Sequence, residues 1–322
     1  MKISTLMISR KLVCIAGAVA LVADAGRLSA EMLNPRTAPQ IGPMSRQEKK
    51  NLDMVLECWR KVVYAGHVEL APKYIAENLV EHSPNISTGR AGFVEYISKM
   101  HQPVSPIPAE LEHPPVVMAA KGDYVWLIFE NEETDLRDPS KSYYSDVMQL
   151  VRVENGKIQE HWDSQRKTPG AGAVAAGVSP KPAMQWNTGQ LSPEEEQSLK
   201  LATAEFRDML QRAHLEMAPT ILDAGYIQHN PHFPQGRDGL VQVMSRRPGR
   251  RPEDAKPIGP EWLDPPFITL VNGPYSMMVW ERKAKDPDNA SKEYTFYHYD
   301  LVRVDHGLIK EHWDEFVGAT AP

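Results

Sequence analysis

The chain has 322 residues, 42% of them hydrophobic, and a formal net charge of −6 at pH 7. That is enough apolar material for one large or two small cores. The acidic balance argues against a nucleic-acid backbone as the partner. Past the N-terminus, no run of about 18 apolar residues offers a membrane span.

The N-terminus reads as an export signal. Arg10 and Lys11 precede the apolar run Leu12–Ala23, and Leu28-Ser29-Ala30 ends on a small residue suited to cleavage. Removing 1–30 takes away Lys2, Arg10, Lys11, Arg27 and Asp24, leaving 32 basic against 41 acidic residues, a net charge of −9. Cys14 leaves too, so Cys58 stands alone and the mature chain has no intramolecular disulfide. An exported location, periplasmic or secreted, follows.

Residues 31–45 carry Pro35, Pro39 and Pro43 and form an extended lead-in. Ser45 stands three residues before Glu48, a capping-box spacing. Leu52, Val55, Leu56, Trp59, Val62 and Val63 then make one helical face, with Cys58 on it as a small core residue. A short helical segment follows His67, around 70–75. Glu81-His82-Ser83-Pro84 is a strand or turn, and Gly89-Arg90-Ala91-Gly92 opens a third helix over 93–100. After a Pro-rich connection the period becomes strand-like, over 116–120, 124–130, 142–153 and 158–163. Asn155-Gly156 is a hairpin signal between the last two. Residues 169–191 read as a linker.

Then the pattern restarts. Ser192-Pro193-Glu194-Glu195 begins a helix. His214-Leu215-Glu216-Met217-Ala218-Pro219 echoes His67-Val68-Glu69-Leu70-Ala71-Pro72 at an offset of 147, and His229-Asn230-Pro231 echoes His82-Ser83-Pro84 at the same offset. A longer loop over 245–262 moves the offset to 151. It contains Arg246-Arg247-Pro248-Gly249-Arg250-Arg251, which reads as a solvated loop. Glu160-His161-Trp162-Asp163 returns as Glu311-His312-Trp313-Asp314. The expected units are 46–168 and 192–318, each about three helical segments followed by strands, an α+β design.

Taken together, His-Asn-Pro, Gly-Arg-x-Gly, Asp-Leu-Val-Arg-Val and Gly-x-Ile-x-Glu-His-Trp-Asp resemble the SnoaL-like polyketide cyclases of the NTF2-like superfamily. The resemblance covers about 48–166 and 195–318. It implies two cone domains, each a curved antiparallel sheet wrapped around about three helices and a pocket. It also implies that the two domains pair through their sheets as an intramolecular pseudo-dimer.

Period-two alternation sets Phe296, His298, Asp300 and Val302 on one strand face. A carboxylate in that apolar company is expected to have a raised pKa, which suits an acid/base. The resemblance puts the family's catalytic Asp at Asp300. Gln149 takes the matching place in the first copy, so division of labour is expected, with the second copy active. His229 or His298 is the expected partner. In ketosteroid isomerase, a superfamily relative, the base precedes the corresponding Pro, whereas here Asn230 and Ser83 stand there. The expected ligand-lining set is Tyr226, Phe296, Trp280, Trp313, His312 and Arg237. Alternation groups Ile309, Glu311 and Trp313 on one face and Lys310, His312 and Asp314 on the other, and either face can be the inner one. Arg237 between two glycines is an anion nest or, more simply, a tight turn. No metal is expected, because a helical i, i+4 ligand pair is missing.

The implied function is binding of a small, largely apolar carbonyl compound, with acid/base chemistry of the aldol, cyclisation or dehydration type and no cofactor. The alternative is a non-catalytic binding or assembly module.

Overall fold

The computed structural model describes residues 31–32, 37–101, 103–135, 138–171 and 190–315. The expected export signal and the linker stretch 172–189 lie outside them.

Two short strands, β1 (Glu31–Met32) and β2 (Gln40–Ile41), precede the first unit. Helix α1 (Arg46–Cys58) starts at the capping box read from the sequence: Glu48 N donates to the Ser45 hydroxyl, and Ser45 N donates to the Glu48 carboxylate. It runs on as a π-helical turn over Trp59–Tyr64, and Val55, Cys58, Trp59, Val62 and Val63 are fully buried along it. Then follow α2 (Ala71–Tyr74), β3 (Ile75–Glu81), α3 (Arg90–Met100), β4 (Val117–Lys121), β5 (Tyr124–Thr134), β6 (Lys141–Glu154) and β7 (Lys157–Asp163). The second unit repeats this order. A capped helix α4 (Pro193–Thr203) passes into a π-helical turn over Ala204–Leu210. It leads to α5 (Ala218–Ile221), β8 (Leu222–Gln228), α6 (Arg237–Met244), β9 (Ile268–Asn272), β10 (Tyr275–Asp286), β11 (Asn289–Asp305) and β12 (Leu308–Asp314).

One sheet has the order β2-β4-β5-β6-β7-β3, with β1 on β6, and the other has β8-β12-β11-β10-β9. Neither is the wholly antiparallel sheet that the resemblance implies, because each contains parallel pairing. The strand ending at Gln228, just before His229, pairs parallel with β12, and the one ending at Glu81 pairs parallel with β7. His229 therefore directly follows the end of a strand. The hairpin before each last strand is the expected one. Asn155 and Gly156 in the first unit, and His306 and Gly307 in the second, all have positive φ, as a two-residue hairpin turn requires.

A single extra residue settles which side of β12 faces where. Arg303 pairs with Glu311, but Val304 pairs with Ile309, so Lys310 is a bulge. Gln159 is the same bulge in the first unit. Plain alternation fails across it. Ile309 packs in the second cone, while Glu311 and Trp313 face the other way. His312, not Trp313, points inward.

The three apolar clusters follow from this. One fills the first cone around Trp59, Tyr74, Phe93 and Val151. One fills the second around Phe206, Tyr226, Met278 and Trp280. The third lies between the two sheets, where Trp126, Met148, Leu150 and Trp162 meet Met277, Val279, Tyr299, Leu301 and Trp313. The lead-in enters that layer. The Thr37 hydroxyl accepts from Trp313 Nε1 at 3.1 Å and bonds His229 Nδ1 at 3.0 Å. Gln40 donates to Glu311 and accepts from the Tyr275 hydroxyl.

Candidate functional site

The inner face of the second sheet carries a polar cluster in apolar surroundings. His298, Asp300, His312 and Asp314 lie on neighbouring strands β11 and β12, two residues apart on each, and Asp300 is directly opposite Asp314. His312 Nε2 is 2.9 Å from Asp300 Oδ1, and His298 Nε2 is 3.1 Å from Asp300 Oδ2. The outer nitrogens are held as well. His298 Nδ1 bonds Glu315 at 2.6 Å, and His312 Nδ1 bonds the Tyr226 hydroxyl at 2.6 Å. Asn230 Nδ2 donates to Asp314. Phe206, against which His312 packs edge-on at 5.6 Å, and Trp280, 5.9 Å from His298, form the apolar walls. The cluster meets solvent at His298 and Asp300, whose side chains are 31% and 14% exposed.

The electrostatics differ from the expectation for Asp300. Burial does push its carboxyl up, but His298 and His312 outweigh that and hold it well below the usual carboxylate range. Burial, with the Asp300 charge beside it, instead pushes Asp314 up to about 7, against the pull of His312. Burial would lower both imidazoles. Their carboxylate neighbours prevail and hold His298 and His312 well above their ordinary value.

The other expected residues go elsewhere. His229 does not reach Asp300. It stacks on Trp313 at 4.6 Å and 2° between planes, and its Nε2 bonds Glu311 at 3.2 Å. Glu311 in turn takes a hydrogen bond from Arg303 Nε at 2.7 Å. Trp313 belongs to the inter-sheet layer and lines no part of the cluster. Phe296 lies under the Arg166 guanidinium, 3.3 Å from the ring centroid. Arg237 pairs with exposed Asp238. In the basic loop, Arg247 lies over the Phe233 ring and Arg250 is half-buried. A cavity of about 330 Å³ is lined by Val68, Glu69, Pro72, Glu77, Arg90, Ala91 and Val94 on the first unit, with none of the cluster residues among them.

Two residues escape sequence reading, Glu205 and Glu315, and alternation places Asp314 on the face of His312 without giving it a role in the site. Glu205 lies on the π-helical turn, fully buried, 3.6 Å from His312 Nδ1, and both its oxygens lack a hydrogen-bond partner among the described residues. It stands 147 positions after Cys58, so the repeat itself carried the signal: a carboxylate where the other copy keeps a core thiol. A helical i, i+4 pair is only one way for a chain to bring metal ligands together. On strands the equivalent spacing is i, i+2, and Asp300, His312 and Asp314 bring one donor atom each within 4.8 Å of one another.

Residues 55–161 match the family described as the SnoaL-like domain. This stretch is a SnoaL-like domain. The chain also resembles solved structures. A candidate polyketide cyclase from Acidithiobacillus ferrooxidans is 18% identical over 37% of this chain and 89% of its own, with a TM-score of 0.26. A candidate SnoaL-like polyketide cyclase from Jannaschia sp. CCS1 is 13% identical over 38% and 88%, with a TM-score of 0.27. An LEH-like epoxide hydrolase from M. tuberculosis is 13% identical over 36% and 83%, with a TM-score of 0.27. No curated protein matches the chain.

The SnoaL-like domain and the second unit share the outer half of this architecture. In the SnoaL-like domain His82 stacks on Trp162 at 4.5 Å and bonds Glu160, which holds Arg152, the arrangement of His229, Trp313, Glu311 and Arg303. The inner halves differ. His161 Nε2 bonds Gln149 at 2.7 Å, and its Nδ1 bonds Glu81 at 2.9 Å. Val147 stands where the second unit has His298, at the offset of 151.

Asp163 remains in the SnoaL-like domain, fully buried. Burial pushes it up to about 6, against His161 and with Glu81 adding to the rise. A carboxyl whose folded value lies above the unfolded one, about 3.9, stabilises the fold while protonated. That contribution is complete below the unfolded value and is lost as pH rises through the folded one. A loss of about 2–3 kcal/mol across roughly pH 4–6 is expected from this group. Asp163→Asn should remove that part of the slope in denaturant titrations run at several pH values. An unchanged slope in the variant would assign the effect to other groups.

Proposed function

We propose that this is an exported protein whose second unit takes a small, largely apolar carbonyl compound against the His298–Asp300–His312–Asp314 face and carries out acid/base chemistry on it, of the aldol, cyclisation or dehydration type. The observation that carries this reading is the difference between the two units. Both keep the stacked His–Trp pair and the Glu–Arg contact, but one keeps Gln149 and Val147 where the other has Asp300 and His298. Polar groups converging in an apolar cone are what a small-ligand site needs. The polyketide cyclase names among the similar structures agree with the reaction class. Export is supported by the basic-then-apolar N-terminus. Pairing of the two units within one chain is supported by the apolar layer between their sheets.

A screen of ketones and lactones for turnover and for thermal shift tests the reading. Asp300→Asn is expected to lower turnover by about 100-fold or more, the scale of a lost acid/base group. Undiminished turnover in that variant would sink the assignment. One observation favours a second reading, binding without turnover: both Asp300 oxygens are already engaged by imidazoles. In that case a ligand raises the melting temperature and no product forms.

A further inference from the structure

We propose that the same face of the second unit binds one divalent transition-metal ion of the zinc class, through His298 Nε2, His312 Nε2, Asp300 and Asp314. The proposal rests on the functional reading only for what the ion does, not for whether it binds.

The first argument is the strand pattern. His298-Tyr299-Asp300 and His312-Trp313-Asp314 are the same His-x-Asp written on two adjacent antiparallel strands. Period two puts all four side chains on one face. The register sets Asp300 and Asp314 directly opposite each other, where like charges destabilise a sheet. A cation between them removes that penalty. The first unit removes it differently, by placing Gln149 opposite Asp163.

The second argument is convergence. The distances from His312 Nε2 to Asp300 Oδ1 and from His298 Nε2 to Asp300 Oδ2 are 2.9 and 3.1 Å, and from His312 Nε2 to Asp314 Oδ2 3.8 Å. Donors spaced about 3.3 Å apart are what a tetrahedral ion with ligands near 2.0–2.1 Å requires. Asp300, His312 and Asp314 bring one donor atom each within 4.8 Å of one another, and His298 Nε2, beside Asp300, would turn in as the fourth. The outer ring nitrogens are held as metal-bound histidines hold theirs: His298 Nδ1 on the Glu315 carboxylate, His312 Nδ1 on the Tyr226 hydroxyl. Both rings thus turn Nε2 toward the Asp300 carboxylate.

The third argument is charge. Four carboxylates, from Glu205, Asp300, Asp314 and Glu315, surround two imidazoles, and the buried Glu205 oxygens, one of them 3.6 Å from His312 Nδ1, have no hydrogen-bond partner among the described residues. A divalent ion would take over from the imidazole protons in offsetting these carboxylates. The partly exposed His298–Asp300 edge gives it a way in. Two nitrogen and two oxygen donors suit zinc or cobalt better than calcium or magnesium. Bound there, the ion would polarise the oxygen of a carbonyl ligand.

The test uses the full chain, stripped with a chelator and dialysed against Zn²⁺ or Co²⁺. One equivalent per chain is expected, with the visible absorption of tetrahedral cobalt. Asp300→Asn and His298→Ala should abolish saturable binding. Glu315→Gln should weaken it by about 10–100-fold. His306→Asn, at the exposed hairpin tip, should leave it unchanged. A wild-type chain that takes up neither metal overturns the proposal, as does full binding in both Asp300→Asn and His298→Ala. Carbonyl turnover by a metal-free chain would overturn the ion's part in catalysis and leave the functional reading standing. One bound zinc in a chain that binds no carbonyl compound would leave the metal site standing and overturn the functional reading.

Discussion

Trp313→Ala is expected to destabilise the protein by about 3–5 kcal/mol, the cost of emptying a large aromatic site in a packed core. The indole is fully buried, in the layer that joins the two sheets. It carries more than its own volume. His229 stacks on one face of it, and its Nε1 donates to the Thr37 hydroxyl, so the substitution also removes a support for the lead-in segment. Guanidinium denaturation followed by circular dichroism measures the loss. Trp162→Ala should cost a similar amount, because His82 stacks on Trp162 in the same way. A loss below about 1 kcal/mol, the ordinary effect of a point substitution, would mean that this layer does not hold the units together.

Glu160→Ala should be as damaging for a different reason. Arg152 Nε donates to Glu160 at 2.5 Å, and both side chains are buried. Removing the carboxylate leaves a guanidinium inside the protein with only Glu154, half-exposed, as its remaining acid. Breaking a buried pair from one side costs about 3–5 kcal/mol. His82 loses its Glu160 contact at the same time. The double variant Glu160→Ala, Arg152→Met should recover part of the loss, because it removes the stranded charge as well. A double variant less stable than Glu160→Ala alone would contradict this account.

Much of the fold could be read from the sequence because the signals were local. Ser45 with Glu48 marks a helix start through two hydrogen bonds, and Asn155-Gly156 marks a turn through its φ angles. What alternation could not reveal was the bulge. Lys310 carries no chemical mark of its role, and one unpaired residue reverses the face of every residue before it. Hence Trp313 was a candidate for the pocket and lies between the sheets, while His312 lies inside. His229 misled for a related reason. The His-x-Pro motif looked catalytic by itself, but its partners Trp313 and Glu311 come from a strand more than 80 positions away. Asp300 was visible as a difference between the copies. Its low pKa was not, because that depends on two imidazoles brought to it by the sheet register.

Beyond the bulge, ordinary alternation gives β12 opposite faces at consecutive residues. His312 looks into the cone, and its neighbour Glu311 looks out toward His229, Gln40 and Arg303. A ligand that displaced His312 would move its neighbour Glu311, which holds Gln40 of the lead-in segment. Occupancy of the cone and seating of that segment at Thr37 and Gln40 would then be linked equilibria. By reciprocity, whatever factor a bound ligand adds to the docking of that segment, the docked segment adds to the affinity for the ligand.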